Sequence, residues 1–307
     1  MNGIFDVVII GAGPAGLSAA VYAGRARLET LVLEKGLPGG QVLLADFIEN
    51  YPGFPEGVKP SQLMENFRRH AQKFGAKMET DEAKQVQKKG RNWVVAGNKG
   101  EYRSRAVIVA TGSVYRKLGL EKEASFTGRG VSYCATCDGA FFKNKDVVVV
   151  GGGDHALSEA LFLTKFCRSV KVIHRRQKFR AEKILQERIM ANEKIDVIWD
   201  SVVEDIGGGD KVEWIALRNV KTNTSSRLKL DGVFVSIGMD PNSSMVKDVV
   251  DLDKNGQIKV NFSMSTSQPG IFAAGDVTDA CPQQIATAAA TGVTASLSVN
   301  DYLENLK

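Results

Sequence analysis

The sequence contains one strand-turn-helix pattern twice. VVIIGAGPAGLSAA (Val7–Ala20) aligns with VVVVGGGDHALSEA (Val147–Ala160) at an offset of 140 residues, and seven of the fourteen positions are identical. In each copy a short apolar, β-branched run ends at a glycine turn, and helix-forming residues follow. A buried parallel strand that leads through such a turn into a helix opens a βαβ unit. The repeat therefore predicts two related nucleotide-binding units.

A second, shorter similarity extends each unit. VIVATG (Val107–Gly112) resembles VFVSIG (Val233–Gly238), so linkers are expected near 113–118 and 239–244. The segment Gly275-Asp276 follows the second unit, and we expect it to return to the first. The predicted fold class is α/β, with two Rossmann-like dinucleotide-binding domains, one inserted into the other. The predicted boundaries are 1–115 and 244–307 for the discontinuous domain and 116–243 for the inserted one.

Composition excludes several classes of protein. The 307 residues are 43% hydrophobic, which is enough for a substantial core without disulfide cross-links. The net charge of +5, without a basic block, and the 7% aromatic content do not indicate nucleic-acid binding. The first residues lack a signal-peptide pattern, and the longest uncharged stretch, 280–300, is too polar for a membrane span. We therefore expect a cytoplasmic protein that makes no membrane contact.

The first glycine turn has the features of a dinucleotide site. Gly11 permits a tight turn, Gly13 lets a pyrophosphate approach the backbone, and Gly16 allows close packing of helix and strand. Glu34 closes the next strand, where an acid accepts hydrogen bonds from ribose hydroxyls. Strand, turn, helix and acid together make this turn a predicted cofactor site rather than a purely structural one.

The second turn differs where cofactors are discriminated. It contains Gly151 and Gly153, with Ala156 at the third position, and the repeat offset carries Glu34 onto His174. The acid is missing, and guanidinium groups that bind a 2′-phosphate by charge-assisted hydrogen bonds are present instead. The basic residues there are His174, Arg175, Arg176 and Arg180. We therefore predict NADP(H) at this turn, and a flavin at the first, because that pairing allows hydride transfer.

A cysteine pair lies between the two turns. Cys134 and Cys137 are separated by two residues, and Asp138 follows directly. The pair could bind zinc, be purely structural, or form a reversible disulfide. Zinc needs four ligands, and no second pair with suitable spacing exists, so no metal site is predicted. We favour a redox dithiol, with Asp138 as a candidate proton donor or acceptor.

The motifs GAGPAG, ENYPGFP, ATG, CATCDG, GGGDxA, HRR with FRA, and GIFAAGDV occur in this order. With them, the sequence resembles the bacterial low-molecular-weight thioredoxin reductases along essentially its whole length. The resemblance implies FAD in the discontinuous domain, NADPH in the inserted domain, and a homodimer. It further implies a flavoenzyme that passes electrons from NADPH through FAD and the cysteine disulfide to thioredoxin.

The resemblance also implies roles for individual residues. Cys137 would face the flavin, Cys134 would attack the disulfide of the partner, and Asp138 would be the acid/base. The candidate FAD residues are Gly11, Gly13, Pro14, Ala15, Gly16, Glu34, Lys35, Gly39, Gly40, Gln41, Asn50, Ala110, Thr111, Gly112, Gly275, Asp276, Gln283, Gln284 and Ile285. The candidate NADPH residues are Gly151, Gly153, Asp154, His155, Ala156, His174, Arg175, Arg176, Arg180 and Gly238.

Two positions depart from the family pattern. His155 stands where a small hydroxyl or amide residue is common, and Cys281-Pro282 stands where Tyr-Arg is usual. These departures bear on flavin tuning and NADPH affinity. Two alternative functions also stay open. One is a flavin-dependent reductase of another dithiol partner, and the other is a nucleotide-binding redox sensor without turnover.

Overall fold

The computed structural model describes residues 3–45 and 47–306. The chain forms two compact units, which we call unit 1 (Met1–Val114 with Asp240–Lys307) and unit 2 (Tyr115–Met239). Helices and strands are numbered along the whole chain.

Unit 1 is built on a seven-stranded sheet. Its strands are β1 (Ile4–Ile10), β2 (Thr30–Glu34), β3 (Lys77–Thr80), β4 (Ala83–Lys89), β5 (Asn92–Gly97), β6 (Glu101–Val109) and β17 (Ile271–Ala273). The order is β3-β2-β1-β6-β5-β4, and β17 also pairs with β6. The beginning of β6 pairs antiparallel with β5, whereas its end, from Val107 to Val109, pairs parallel with β17. One long strand therefore joins a parallel sheet to an antiparallel hairpin.

Alternating residues of β1 enter two separate apolar clusters. Val7 and Ile9 pack with helices α1 (Pro14–Arg25) and α7 (Ile285–Glu304), and Val8 and Ile10 pack on the opposite face with Trp93. Both faces of the strand are buried, which explains its unbroken apolar run. The remaining long helix of unit 1 is α2 (Pro60–Lys73).

Unit 2 repeats the parallel arrangement. Its main strands are β8 (Val131–Ser132), β9 (Asp146–Gly151), β10 (Ser169–Ile173), β11 (Ile195–Ile198) and β15 (Gly232–Ser236). All pairs are parallel, in the order β11-β10-β9-β15-β8. A separate antiparallel sheet contains β12 (Ser201–Gly207), β13 (Trp214–Asn219) and β14 (Ser225–Lys229).

Short elements complete the chain. The helices of unit 2 are α3 (Glu123–Phe126), α4 (Ala135–Asp138), α5 (Asp154–Leu163) and α6 (Lys183–Met190). Strands β7 (Ser113–Tyr115) and β16 (Met239–Pro241) lie where the chain passes between the units. Single 3₁₀ turns cover Gly40–Leu44, Gly139–Phe142, Ser244–Val246 and Gly275–Val277. Within the described part of the chain, no helix has the length and apolar character needed to span a membrane.

The sheet order places the sequence motifs along one edge of each sheet. In unit 1, neighbouring strands β2, β1, β6 and β17 lead into Glu34, the first glycine turn, Ala110 and Gly275. In unit 2, strands β10, β9, β15 and β8 lead into the basic cluster, the second glycine turn, Gly238 and the cysteine pair. Parallel α/β sheets bind ligands at the carboxyl ends of their strands, so these edges are the candidate sites.

Candidate dinucleotide and disulfide sites

The first glycine turn leaves space on one side only. Gly11 has φ +105°, and a Cβ added there would lie 2.3 Å from the Ala110 carbonyl oxygen. A Cβ on Gly16 would lie 1.9 Å from the Gly11 oxygen, so helix and strand require glycine here. A Cβ on Gly13 would meet nothing within 4 Å. The turn is therefore closed toward the protein and open at Gly13, beside the N-terminus of α1, where an anionic group is stabilised.

Glu34 is held at this turn by main-chain amides. The Ala12 N–H donates to Glu34 Oε2 at 2.8 Å, and the Gly36 N–H donates to Oε1 at 3.0 Å. These bonds fix the carboxylate while leaving acceptor capacity on both oxygens. Lys35 follows and is exposed.

A glycine-rich loop lies against the same turn. The Gly39 N–H donates to the Ala12 carbonyl oxygen at 2.8 Å. A Cβ on Gly40 would lie 3.4 Å from Gly13 Cα. Gln41 then extends beside the end of β6, and its Nε2 donates to the Ser113 carbonyl oxygen at 3.1 Å. The structure thus brings Gly39, Gly40 and Gln41 to the predicted site.

Four buried side-chain oxygens in unit 1 have no hydrogen-bond partner among the described residues. Two of them, Gln41 Oε1 and Asp276 Oδ1, belong to candidate site residues. Burial raises the pKa of Asp276 from 3.8 to about 6. A buried acceptor without a partner is costly, so both atoms fit a ligand that donates hydrogen bonds from hydroxyl or amide groups. These two oxygens and the open space at Gly13 are therefore the features of unit 1 that fit a bound dinucleotide.

The remaining candidates of unit 1 meet at the N-terminus of α7. Asn50 Nδ2 donates to Gln284 Oε1 at 3.0 Å, which joins two predicted residues that are far apart in sequence. Ile285 is the first residue of α7 and Gln283 lies just before it. Helix α7 crosses α1 closely at Gly292. A Cβ on Gly292 would lie 2.0 Å from the Ala15 oxygen, so this crossing requires glycine. Cys281 is a buried free thiol.

The second glycine turn has the same open and closed sides. A Cβ on Gly151 would lie 2.3 Å from the Ser236 oxygen and 2.6 Å from Ala156 Cβ, whereas one on Gly153 would meet nothing within 4 Å. Asp154, the first residue of α5, accepts from the Glu182 N–H at 2.7 Å. Gly238, with φ +121°, ends the neighbouring strand segment. This turn can therefore receive a second phosphate group.

The basic cluster borders the second turn. The Arg180 N–H donates to the Gly152 carbonyl oxygen at 2.8 Å, which fixes the loop against the glycines. Arg175, Arg176 and Arg180 are exposed, and no described residue forms a hydrogen bond or ion pair with their guanidinium groups. They are available to an anionic ligand.

His174 has a different environment from the three arginines. Its ring is buried against Gly152 and lies between Phe179 and Trp199. Its Nε2 is hydrogen-bonded to the Lys178 carbonyl oxygen at 3.1 Å. Burial lowers the pKa of His174 below its ordinary value, so the neutral ring is favoured. It supports the turn and the basic loop from behind.

Cys134 and Cys137 form a disulfide, with Cα atoms 5.4 Å apart. Cys134 precedes the single turn α4, and the Cys137 N–H donates to Cys134 Sγ at 3.2 Å. The Asp138 N–H donates to the Cys134 carbonyl oxygen at 3.2 Å, so Asp138 belongs to the same turn. Cys137 is exposed and Cys134 is half-buried. The pair thus lies where an external thiol or disulfide can reach it.

Two buried glutamates hold the residues on either side of Cys134. Glu123 accepts from the Tyr133 hydroxyl at 2.7 Å. Glu159 accepts from the Ala135 N–H at 2.7 Å. Neither acid is among the residues predicted from sequence. Glu159 could have been found from the sequence by its spacing, because it lies one helical turn after the candidate residue His155 on α5.

Another residue that the sequence analysis missed is Asn242. It hydrogen-bonds to Thr111 and Gly112 and thereby fixes the turn that follows β6.

No group of three or more His, Cys, Asp or Glu side chains within residues 3–45 and 47–306 could hold a metal ion.

Comparison with known proteins places this geometry in a family. A model described as "Pyridine nucleotide-disulphide oxidoreductase" matches residues 5–292. The chain is 46% identical over 305 residues to a thioredoxin reductase of Bacillus subtilis, covering 99% of this chain and 96% of the relative. It is 45% identical over 309 residues to one of Streptomyces coelicolor, covering 100% and 96%.

A solved structure of a thioredoxin reductase has the same fold. The thioredoxin reductase of Lactococcus lactis in its "FR conformation" has a TM-score of 0.96 and 40% identity, covering 98% of this chain and 99% of that one. The chain therefore belongs to the pyridine nucleotide-disulphide oxidoreductases. Within that family it is a member of the low-molecular-weight thioredoxin reductases, and the predicted fold class is confirmed.

Proposed function

We propose that this chain is an NADPH-dependent flavoenzyme that reduces thioredoxin through the Cys134–Cys137 disulfide. The observation that carries the proposal is the asymmetry between the two glycine turns. An acid fixed by amides accompanies the first, and three exposed arginines accompany the second, on the sheet that also carries the disulfide. Unit 1 would therefore hold FAD and unit 2 NADPH.

In unit 1 the chain's own residues would bind and orient the flavin dinucleotide. The amides at the N-terminus of α1 would face the pyrophosphate, Glu34 would accept from ribose hydroxyls, and Asp276 would accept from a hydroxyl of the ribityl chain. The unpartnered Oδ1 of Asp276 supports that last role. FAD, when bound, supplies the two-electron step between a nicotinamide and a disulfide.

In unit 2 the arginines would select the nucleotide. Arg175 and Arg176 directly follow His174 at the position where the first turn has its acid. Guanidinium groups bind a 2′-phosphate with two parallel hydrogen bonds, and a carboxylate would repel it. Gly153 and the N-terminus of α5 would receive the pyrophosphate, with Asp154, His155 and Ala156 in the first helical turn.

The cysteines would complete the reaction by thiol–disulfide exchange. After two-electron reduction, the Cys134 thiolate attacks one sulfur of the thioredoxin disulfide, and the other sulfur leaves as a thiolate. The Cys137 thiolate then attacks Cys134 Sγ in the mixed disulfide, which releases reduced thioredoxin and restores the Cys134–Cys137 bond. Asp138 would supply and take up the proton. A homodimer in the cytoplasm is the form we propose, by the likeness to the family.

Anaerobic turnover of the purified yellow protein tests the proposal. NADPH and NADH are supplied in parallel with thioredoxin from the same organism. Cys134→Ser and Cys137→Ser should abolish thioredoxin reduction but keep flavin reduction by NADPH, whereas Cys167→Ala, in the core of the same unit, should keep both. Flavin reduction without thioredoxin reduction by the unsubstituted protein would favour another dithiol partner. Slow flavin reduction by either nicotinamide, with tight binding, would favour a sensor.

A further inference from the structure

We propose that Glu159 is a positioning residue for the reducible disulfide: its carboxylate holds the Ala135 amide, and its charge, balanced by His155, controls how readily the reduced pair forms a thiolate. The inference rests on the proposed function only in taking this disulfide as the reacting group. It goes beyond Asp138 as the acid/base, because Glu159 acts from behind the cysteine turn.

Glu159 is a buried acid with every oxygen engaged. Oε1 accepts from the Ala135 N–H at 2.7 Å, and Oε2 accepts from the Ser236 hydroxyl. Only 6% of its side chain is exposed. Burial raises the pKa of Glu159, and the two donors directed at its carboxylate oppose that shift. The Ala135 amide that it holds follows Cys134 directly.

His155 supplies the opposing charge. Its Nε2 lies 3.6 Å from Glu159 Oε1, one helical turn earlier on α5. The imidazole is about half exposed and is stacked on Tyr115, with ring centroids 5.2 Å apart and planes 16° from parallel. The ring thus reaches solvent on one side and the buried carboxylate on the other. A positive charge at this position would offset the negative charge of Glu159.

Several elements contribute groups around the Glu159–His155 pair. Tyr115 is a further titratable group near Glu159. Burial raises the pKa of Tyr115, and the negative charge of Glu159 raises it further. Strand β15 contributes the Ser236 hydroxyl, and α4 contributes the Ala135 amide and Asp138 on the cysteine turn. Helix α6 and strands β9 and β10 present apolar side chains to α5. Among described residues, His155 is the cation that acts on Glu159.

The charge of Glu159 matters because reduction creates negative charge on the cysteine turn whose Ala135 amide it holds. Two electrons break the sulfur–sulfur bond. Uptake of one proton then gives one cysteine as a thiol and the other as a thiolate. A carboxylate close to the thiolate disfavours it, and a neutral pair does not. An ionised Glu159 that His155 does not balance therefore keeps the reduced cysteines as thiols, which attack a disulfide more slowly.

The test measures the thiolate directly, without nucleotide or thioredoxin. The holoenzyme is reduced with dithiothreitol, desalted, and pulsed with iodoacetamide at a series of pH values. Mass spectrometry then assigns the modified cysteine. Glu159→Gln keeps an acceptor for Ala135 and removes the charge, so its alkylation midpoint should fall and its rate at pH 7 should rise several-fold. His155→Lys should also lower the midpoint, because it fixes a cation beside Glu159.

Glu187→Gln, an exposed acid on α6, is the matched control and should leave the profile unchanged. Midpoints of Glu159→Gln and His155→Lys that coincide with the unsubstituted protein would overturn the proposal, even if turnover fell. If both variants show the expected lower midpoints but the unsubstituted protein does not reduce thioredoxin, the inference about Glu159 stands and the proposed partner is rejected.

Discussion

Thr111 and Asn242 bond to each other reciprocally across 131 residues of sequence. The Thr111 hydroxyl donates to the Asn242 carbonyl oxygen at 2.7 Å, and Asn242 Nδ2 donates to the Thr111 carbonyl oxygen at 3.0 Å. Thr111 lies in the turn after β6, and Asn242 lies where the chain re-enters unit 1. The pair therefore closes the discontinuous unit at the edge of the candidate flavin site.

Asn242→Ala should destabilise unit 1. The substitution leaves the half-buried Thr111 carbonyl oxygen without its side-chain donor, at a cost of about 1–2 kcal/mol in the free energy of unfolding. Urea denaturation followed by flavin fluorescence and far-UV dichroism measures the change. Asn66→Ala, on the exposed face of α2, serves as control and should change the free energy by less than about 0.5 kcal/mol. Equal stability of the two variants would contradict this role of Asn242.

Gly13 and Gly16 should respond differently to alanine, although they occupy the same turn. A Cβ at Gly16 would lie 1.9 Å from a main-chain oxygen, so Gly16→Ala must move backbone and should yield little folded protein. A Cβ at Gly13 meets no protein atom within 4 Å, so Gly13→Ala should fold with nearly the stability of the unsubstituted protein. Its flavin content should nevertheless fall at least about tenfold, because the methyl group would occupy the pyrophosphate position.

Thermal unfolding of the flavin-free proteins and flavin absorbance after reconstitution separate these two effects. Full flavin occupancy in Gly13→Ala would show that the pyrophosphate does not approach this glycine.

The glycine turns could be predicted from sequence because their chemistry is local. Strand, turn and helix lie within fourteen consecutive residues, and each glycine has a steric reason that one segment explains. Glu159 and Asn242 could not be predicted in this way. Glu159 reaches Ala135 across 24 residues, and Asn242 reaches Thr111 across 131, so their roles arise only from the sheet order.

The small sheet β12–β14 shows the same limit for secondary structure. Strand β14 is mostly exposed and polar, and among the described strands it pairs with β13 alone. Its sequence therefore lacks the apolar run that identifies a buried strand.

Asp276 should make the flavin-free protein less stable as pH rises. Burial raises the pKa of Asp276 from 3.8 to about 6, so folding favours the protonated form. The associated stability is fully present below pH 3.8 and is lost as pH rises through about 6. Since a tenfold change in acidity is worth about 1.4 kcal/mol, the loss is about 3 kcal/mol.

Asp276→Asn should remove this dependence and be more stable than the unsubstituted flavin-free protein at pH 7. Urea denaturation from pH 4 to pH 7 measures it, with the exposed Asp210→Asn as control. The same variant should retain flavin less well, because the hydroxyl acceptor is weakened. A parallel pH dependence in both flavin-free proteins would mean that Asp276 ionises normally.

Arg175→Ala combined with Arg176→Ala should erase the preference for NADPH over NADH. Each guanidinium lost from a 2′-phosphate removes about 1.5–3 kcal/mol of charge-assisted binding, so kcat/KM for NADPH should fall by about 100-fold or more. The value for NADH should stay within about twofold, because NADH lacks that phosphate. Anaerobic stopped-flow reduction of the flavin measures both. Arg91→Ala, exposed in the turn between β4 and β5 of unit 1, is the charge-matched control. If the preference for NADPH survives, Arg175 and Arg176 do not select the 2′-phosphate, and Arg180 is the next arginine to substitute.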